Sequence, residues 1–401
     1  MSESLSITYL VPHDPFSSTT MLGASVFTGE LAMEMARRGH DVTIIHSYVQ
    51  ISQNSFIRGV HVSGIPNYHY PYVGGWTANL AVSKFLAASA KKSGADIIDA
   101  RGGGLGWAFS RNAPHWSARV FHVVDVTLKE WERLPLRTRF WSAPKYFMLA
   151  HNDRLCVQVA DWIVAETTAV RKELTKLYPG ASSKMEVIPG LVPRSWASSE
   201  TVLCDPFHFL YVGAGPRRDT GLFLKALHIL YQQGVPVKAT VLREERQRFR
   251  LLAQGWKLNV RFETVLSNDE MRKALAGSCA FVLPSFREAY CGTVIEAAFH
   301  GTPSIVSDLA PVRDFVRHKQ NGIIVPSCNP KDWASAFRML IEDPGLRKRL
   351  GEAARTLATQ AYSAERIGEL TERGYRNVLS RIDRQDSPHQ FRSFDSSRHS
   401  G

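Results

Sequence analysis

The chain has 401 residues, 44% of them hydrophobic and 21% charged, and its formal net charge is +12 at pH 7. This length predicts about two domains, and the absence of any run of about 18 apolar residues excludes a transmembrane helix. The first residues lack the basic segment of a secretory signal, and the five cysteines form no C-x-x-C pair. We therefore expect a protein of the reducing cytoplasm, without a disulfide framework or a structural zinc site.

The excess of positive charge fits three kinds of anionic partner: nucleic acid, an anionic membrane surface, or a substrate that carries phosphate. A basic surface without any specific partner is an equally good interpretation. No nucleic-acid recognition motif accompanies the charge, so we expect no nucleic-acid partner. The charge alone does not choose among the other three interpretations.

The first 45 residues predict a strand, a loop, a helix and a second strand. Ile7–Val11 is an apolar run of strand length. Leu31 and Met35 recur at helical spacing, and Gly39 stands where a helix ends. The β-branched run Val42–Ile45 follows, so this unit predicts a parallel sheet with a right-handed crossover. Further strands are predicted at 96–100, 119–124 and 162–165.

Prolines and glycines between Pro179 and Pro193 interrupt this pattern and predict an interdomain linker. A second α/β series follows, with strands predicted at 207–212, 237–242, 260–265, 280–284 and 303–307. Ser267 and Glu270 have the spacing of a capping box that opens a helix. We predict two doubly wound α/β domains over 1–190 and 191–382, the second with terminal helices, and a disordered tail over 383–401.

The most informative stretch is PSFREAYCGTVIEAAFHGTP, residues 284–303, which follows an apolar strand. Its loop is expected at the carboxyl end of a parallel sheet, where α/β domains bind ligands. Gly292 permits close approach of the backbone, and the N–H groups at a helix start near Thr293 attract phosphate. Glu288 and Glu296 can accept hydrogen bonds from hydroxyl groups, so the stretch fits a sugar nucleotide. The alternative is that both glutamates are solvated and Gly292 is an ordinary turn residue.

This stretch resembles the signature of the retaining glycosyltransferases of family 4 (glycosyl transferases group 1), which have the GT-B fold. The matching residues are Pro284, Ser285, Glu288, Tyr290, Glu296, Ala297, Gly301 and Pro303. Cys291 stands where the family usually has glycine. The resemblance implies two Rossmann-like parallel-sheet domains that face a cleft, with the nucleotide-sugar donor on the C-terminal domain and the acceptor on the N-terminal one.

The resemblance also implies roles for individual residues of the motif. Glu296 would hold the nucleotide ribose, and Glu288 would act at the donor sugar near its anomeric centre. The backbone amides of Tyr290, Cys291, Gly292 and Thr293 would hold phosphate. These roles belong to the family pattern and are carried over only to the positions that match it.

In the first half of the chain the resemblance is looser. Gly23 lies in the loop that would leave room for the diphosphate or the acceptor. His122 ends a predicted strand, where the family often has a histidine near the transferred sugar. Both residues have ordinary alternatives: Gly23 as a loop glycine, and His122 as a polar residue satisfied by the backbone.

The cations expected at the diphosphate depart from the family pattern. Ala214 and Thr220 occupy the positions where the family usually has arginine and lysine. We expect Arg217 or Arg218, in the same loop, to compensate, because a guanidinium group offers phosphate a bidentate fork. The chain contains no Asp-x-Asp sequence, so we expect no metal, and no cofactor apart from the nucleotide sugar as substrate.

Residues 129–154 mix aromatic and basic side chains, which is typical of an amphipathic element on an anionic bilayer. They suit a pair of packed helices equally well, and Pro135 and Pro144 are expected to interrupt any long helix. Peripheral contact with an anionic membrane, at the inner membrane face, is therefore one alternative.

Together these features predict a metal-independent, hexosyltransferase-like enzyme of polysaccharide biosynthesis. It would move a sugar from a nucleotide sugar to a hydroxyl group of a glycan or lipid-linked acceptor, with retention of configuration. The departures at Ala214, Thr220 and Cys291 keep one alternative open, a non-catalytic GT-B binding or partner subunit. A nucleotide-sugar epimerase is the other alternative.

Overall fold

The computed structural model describes residues 3–16, 23–49, 53–66, 82, 84, 94–102, 109–110, 117–126, 136–197, 203–213, 217–244, 246–264 and 266–386. The strands in these ranges are β1 (Ser6–Val11), β2 (Asp41–Val49), β3 (Gln53–Ile57), β4 (Val60–Pro66), β5 (Ile97–Arg101), β6 (Ala118–Val123), β7 (Trp162–Ala165), β8 (Met185–Val187), β9 (Asp205–Val212), β10 (Lys238–Leu242), β11 (Asn259–Glu263), β12 (Ser278–Leu283), β13 (Ser304–Ser307) and β14 (Gly322–Val325).

The α-helices in the same ranges are α1 (Gly23–Arg37), α2 (Leu136–Val159), α3 (Thr168–Leu177), α4 (Thr220–Gln232), α5 (Gln247–Gly255), α6 (Asn268–Ala276), α7 (Gly292–Phe299), α8 (Pro330–Glu342), α9 (Pro344–Tyr362) and α10 (Ala364–Asp386). Their termini follow the signals in the sequence. Ser267 and Glu270 form the predicted capping box of α6, and Gly39 has a φ of 93° just beyond α1.

The chain forms two compact units. Unit 1 comprises Met1–Val164, Tyr178–Glu186 and Gly368–Gly401, and unit 2 comprises Ala165–Leu177 and Val187–Ile367. The predicted division at residues 190 and 191 kept the terminal helices with the second domain, whereas α10 belongs to unit 1 from Gly368 onward. Glycine is the reason that α10 packs there so closely, since a Cβ atom on Gly374 would overlap the Trp162 ring.

The sheet of unit 1 has the strand order β3-β4-β2-β1-β5-β6-β7-β8. Strands β4, β2, β1, β5 and β6 run parallel to one another, but β3 is antiparallel to β4. Arg58 and Gly59 connect these two strands with φ values of 48° and 87°, which a tight two-residue hairpin requires. This hairpin was not predicted from the sequence, and β8 falls within the predicted linker.

The sheet of unit 2 is entirely parallel, with the strand order β11-β10-β9-β12-β13-β14. All six residues of β12 are buried, as expected for a strand covered on both faces. Both units are therefore α/β units built on doubly wound, mainly parallel sheets, and the predicted fold class is confirmed. In unit 2 the carboxyl ends of β10, β9 and β12 are neighbours, so the loops that follow them meet.

Helix α2 contradicts the expectation that Pro144 interrupts any long helix between residues 129 and 154. It runs without a break from Leu136 to Val159 and contains Pro144. A proline inside a helix costs about 3 kcal/mol because one backbone hydrogen bond is lost. Burial of Ala150, Cys156 and Val157 on the second half of the helix offsets that cost. Within the part of the chain that the structure describes, no helix combines the length and apolar character needed to span a bilayer.

Candidate active site

The loop that follows β12 is attached to the loop that follows β9. The Asp219 N–H donates to the carbonyl of Pro284 at 2.7 Å, and the Phe286 N–H donates to the carbonyl of Arg217 at 2.9 Å. These bonds form a short antiparallel bridge at the carboxyl edge of the sheet. The bridge fixes where both loops present their side chains.

Glu288 and Arg218 form a buried ion pair on this bridge. Glu288 Oε1 accepts hydrogen bonds from Ser285 Oγ at 2.8 Å and from Arg218 Nε at 3.2 Å. Arg218 Nη1 also donates to the carbonyl of Val212 at 2.6 Å, and the two charged side chains are only 11% and 3% exposed. Arg217, the other arginine predicted to compensate, has an exposed side chain. The structure therefore brings Arg218, and not Arg217, to the predicted glutamate.

Cys291 is the N-cap residue of α7, and the helix begins at Gly292, one residue before Thr293. The φ of Cys291 is −100°, an ordinary value for any L-residue, so this turn does not require the glycine that the family usually has. Burial and the nearby Glu288 raise the pKa of the Cys291 thiol to about 12, so it is neutral at pH 7. The hydroxyl of Tyr290 donates to the carbonyl of Gly190 at 2.6 Å. This hydrogen bond anchors the residue just before the N-cap of α7.

Glu296 lies one turn inside α7 and is partly buried. Burial raises the pKa of its carboxyl to about 7, although the guanidinium groups of Arg243 and Arg218 oppose that rise. The two predicted glutamates therefore share one neighbourhood with two arginines. A carboxylate close to its titration point can accept a hydrogen bond from a sugar hydroxyl without holding a full unpaired charge.

Arg243 is a site residue that the sequence analysis missed. It follows β10 directly and is exposed, with a φ of 56° that places it in the left-handed region. Its N–H donates to the carbonyl of Glu263 at 2.9 Å, and the neighbouring Leu242 carbonyl accepts from Gly213 at 2.7 Å. Arg243 thus stands between the ends of β9 and β11. An arginine directly after a predicted strand of the parallel sheet was the available signal.

Thr220, at the position where the family usually has lysine, is fully buried in a closed network. Its hydroxyl contacts the Tyr211 hydroxyl at 2.9 Å and donates to Glu244. Arg246 donates to both oxygens of Glu244, at 2.7 and 2.6 Å. The charge of Arg246 is therefore compensated within the network. Of the arginines at this edge, Arg218 and Arg243 are the two whose charges act on Glu296.

The two predicted site residues of the first half lie in unit 1. His122 is the second-last residue of β6, close to the carboxyl end where it was expected, and it is only 4% exposed. Burial and the nearby Arg101 hold the pKa of His122 well below its usual range, so the imidazole is neutral at pH 7. Gly23 is the first residue of α1, and residues 17–22 before it lie outside the described residues. The roles given to His122 and Gly23 stay predictions.

Two further predictions concern metals and membranes. Across the described ranges, no group of three or more His, Cys, Asp or Glu side chains could hold a metal ion. The predicted independence of metal and cofactor stays a prediction. Phe140 and Phe147 on α2 are 76% and 56% exposed, and the predicted contact with an anionic membrane also stays a prediction.

Known proteins resemble both halves of the chain. A family model described as "Glycosyl transferases group 1" matches residues 202–357, and one described as "Glycosyltransferase Family 4" matches residues 22–195. A D-inositol 3-phosphate glycosyltransferase from Streptomyces bingchenggensis is 37% identical over 135 residues. That stretch is 34% of this chain and only 28% of the relative's length.

Among solved structures, sucrose-phosphate synthase from Thermosynechococcus elongatus superposes with a TM-score of 0.75 at 17% identity. The match covers 94% of this chain and 100% of that one. HepE from Anabaena, solved in complex with UDP and glucose, has a TM-score of 0.69 at 14% identity, over 93% and 100% of the two chains. These likenesses establish the fold shared with such proteins.

Proposed function

Because the chain belongs to the glycosyl transferases of group 1 and glycosyltransferase family 4, we propose that it moves a sugar from a nucleotide-sugar donor to an acceptor hydroxyl. One observation carries this proposal. At the carboxyl edge of the unit 2 sheet, a buried Arg218–Glu288 pair lies beside the start of α7, and Glu296 within α7 interacts with Arg218 and Arg243. Two carboxylates, two guanidinium groups and a helix N-terminus match the hydroxyl groups and phosphates of such a donor.

We assign the phosphates to the positive end of this site. The amides at the start of α7 point along the helix dipole, which favours an anion. Arg218 and Arg243 supply guanidinium groups in place of the family's usual arginine and lysine. Because Glu288 balances the charge of Arg218, the added positive charge comes mainly from Arg243. As the bond to the sugar breaks, negative charge grows on the departing diphosphate, and fixed cations stabilise that charge most.

We assign the hydroxyl groups of the donor to the two glutamates. Glu296 accepts a hydrogen bond from the ribose, and Glu288 faces the sugar near its anomeric centre, as the family resemblance implies. The bonds from Ser285 and Arg218 both reach Oε1 of Glu288, which leaves Oε2 as the oxygen for the donor sugar. Glu288 is thereby oriented before substrate binds, which lowers the cost of reaching the reactive geometry.

We propose that transfer retains the configuration of the sugar. The acceptor oxygen would attack from the face that the diphosphate leaves. The bond from the anomeric carbon to the diphosphate breaks, the bond to the acceptor oxygen forms, and the hydroxyl proton passes to the departing diphosphate. We propose a glycan or lipid-linked sugar as acceptor, following the family resemblance; the relative named D-inositol 3-phosphate glycosyltransferase likewise points to a hydroxyl-bearing acceptor.

A panel of UDP, GDP and ADP sugars tests the proposal, with release of the nucleoside diphosphate and transfer to a glycan acceptor as readouts. We expect transfer from one donor class, with the anomeric configuration of the product unchanged by NMR. Glu288→Gln should abolish transfer, while Glu352→Gln, at a site with a 68% exposed side chain, serves as the matched control. An epimerised nucleotide sugar, or donor binding without turnover on any acceptor, would contradict the proposal.

A further inference from the structure

A line of buried polar side chains crosses one face of the unit 1 sheet. The Tyr375 hydroxyl donates to Asp99 Oδ2 at 2.7 Å and lies 3.2 Å from the Tyr9 hydroxyl. Arg101 Nη2 donates to the same Asp99 oxygen at 3.1 Å. Asp99 and Arg101 have side chains only 1% and 7% exposed. A buried charge pair adds little net stability because both groups must be desolvated, but removing one partner leaves the other buried and unpaired.

The line ends at His122. Arg101 and His122 are register partners on the parallel strands β5 and β6. Adjacent strands lie about 4.8 Å apart, and partners in register point to the same face of the sheet. The Gly102 N–H, just beyond Arg101, donates to the His122 carbonyl at 3.0 Å. The guanidinium of Arg101 is thus the charged group beside the His122 imidazole.

Burial is the larger influence on the charge of His122, and Arg101 is the charged group that adds to it. Asp99 hydrogen-bonds to Arg101 and Tyr375, farther along the same face. Helix α2 also packs against β6, but among the described residues Arg101 is the charged group that acts on the pKa of His122. Strand β7, on the opposite side of β6, has the sequence WIVA and carries no titratable group. Burial and the positive charge of Arg101 both disfavour the imidazolium form.

Contacts of α10 with Trp162 and with Arg38 hold Tyr375 in place. Gly374 lies against the ring of Trp162, whose edge also packs against Tyr375 with ring centroids 5.9 Å apart. Three residues before Tyr375, Glu372 accepts a hydrogen bond from Arg38 on α1 at 2.7 Å. The terminal helix therefore presents the Tyr375 hydroxyl to Asp99 with little freedom to move.

We propose that Arg101 is a positioning residue for His122, and that Asp99 and Tyr375 hold the Arg101 guanidinium in place. Through this line the C-terminal helix keeps His122 a neutral imidazole with a fixed orientation. A neutral imidazole can both donate to and accept from a sugar hydroxyl, whereas an imidazolium can only donate. The inference rests on the proposed function, because it gives His122 a sugar to contact.

The charge of Arg101 is tested by NMR titration of His122 in the full chain. Arg101→Gln should raise the pKa of His122 towards its usual range, because a positive charge is removed and Asp99 is left behind. Arg101→Lys keeps the charge and should leave the imidazole neutral to the same low pH. If His122 titrates alike in the wild type and in Arg101→Gln, the proposal is wrong.

The hydroxyl of Tyr375 is tested with Tyr375→Phe against Tyr178→Phe, a half-buried tyrosine of the same unit. We expect Tyr375→Phe to move the His122 resonances and to lower kcat roughly tenfold, the scale of one lost hydrogen bond to a charged group, with an unchanged KM for the donor. Tyr178→Phe should change neither. Unmoved His122 resonances in Tyr375→Phe would overturn the proposal. The NMR result stands even if no transferase activity is found, so the two proposals can fail separately.

Discussion

Replacing Glu296 by glutamine should remove a pH dependence that this carboxyl gives to the stability of unit 2. Burial raises its pKa from 4.5 to about 7 in the folded protein. The folded state therefore holds the proton more tightly than the unfolded state does. The resulting stabilisation is complete below pH 4.5 and is lost as the pH rises through 7.

The size of the effect follows from the same two pKa values. At about 1.4 kcal/mol per pH unit, they correspond to an upper limit of roughly 3 kcal/mol. Glutamine does not titrate, so its contribution to stability does not change with pH. Between about pH 4 and about pH 8, the free energy of unfolding of Glu296→Gln should therefore rise relative to that of the wild type by up to this amount. For a unit of this size, each kcal/mol shifts the melting temperature by about 2–4 °C.

Thermal unfolding of both proteins across this pH range measures the difference. Glu352→Gln, an exposed glutamate of α9 in the same unit, is the control and should follow the wild type at every pH. If the melting temperatures of Glu296→Gln and wild type differ by the same amount at low and high pH, the carboxyl titrates normally. The assignment of Glu296 to a partly desolvated site between two arginines would then fail.

Three further variants have expected outcomes. Arg218→Gln should cost about 3 kcal/mol by leaving Glu288 buried and unpaired, and adding Glu288→Gln should restore much of that stability in a double-mutant cycle. Gly374→Ala should destabilise unit 1 by roughly 1–3 kcal/mol in chemical denaturation, because its Cβ atom meets an aromatic ring. Replacing both Phe140 and Phe147 by serine should weaken flotation with anionic vesicles, because the predicted membrane contact would bury these exposed apolar side chains.

These variants have matched controls. Gly180 in unit 1 has open space around it, so Gly180→Ala should leave stability nearly unchanged. Phe56 on β3 is 65% exposed, and Phe56→Ser should leave vesicle flotation unchanged. Equal destabilisation by the two alanine substitutions, or equal flotation of all phenylalanine variants, would contradict the corresponding prediction. Flotation that is insensitive to salt would contradict an electrostatic contribution.

Most of the fold was predictable because strand and helix periodicity reflects local burial. The runs around β9, β10 and β12 are apolar because both faces of the sheet are covered, and the helix signals at Ser267 and Gly39 are local hydrogen-bonding and φ requirements. Pro144 was misjudged because tertiary packing of the rest of α2 outweighs one lost hydrogen bond. The packing of α10 on unit 1 depends on contacts between residues more than 200 positions apart in the chain, such as Gly374 and Trp162. The local periodicity of the sequence cannot predict such contacts.

In the candidate site, too, the residues close together in sequence were predicted, whereas those brought together only by the fold were missed. Glu288 and Glu296 lie in one contiguous motif, so their proximity follows from one loop and one helix turn. Arg243 was missed although it directly follows a predicted strand, because its approach to Glu296 depends on the end of β10 and helix α7 coming together. The buried line from Tyr375 to Arg101 was missed because its residues are far apart in the chain. Arg217 and Arg218 were equivalent in sequence, and only the bridge between the loops after β9 and β12 decides which one meets Glu288.

The proposed function places a nucleotide sugar on unit 2 with Glu288 at the reacting centre. Steady-state release of nucleoside diphosphate from the preferred donor, with acceptor present, tests this when it is compared between wild type and Glu288→Gln. We expect acceptor-dependent release by the wild type and a loss of at least about 100-fold in the variant, comparable to removing one group that stabilises a transition state. Equal rates in the two proteins, or no release from any donor, would contradict the proposed function.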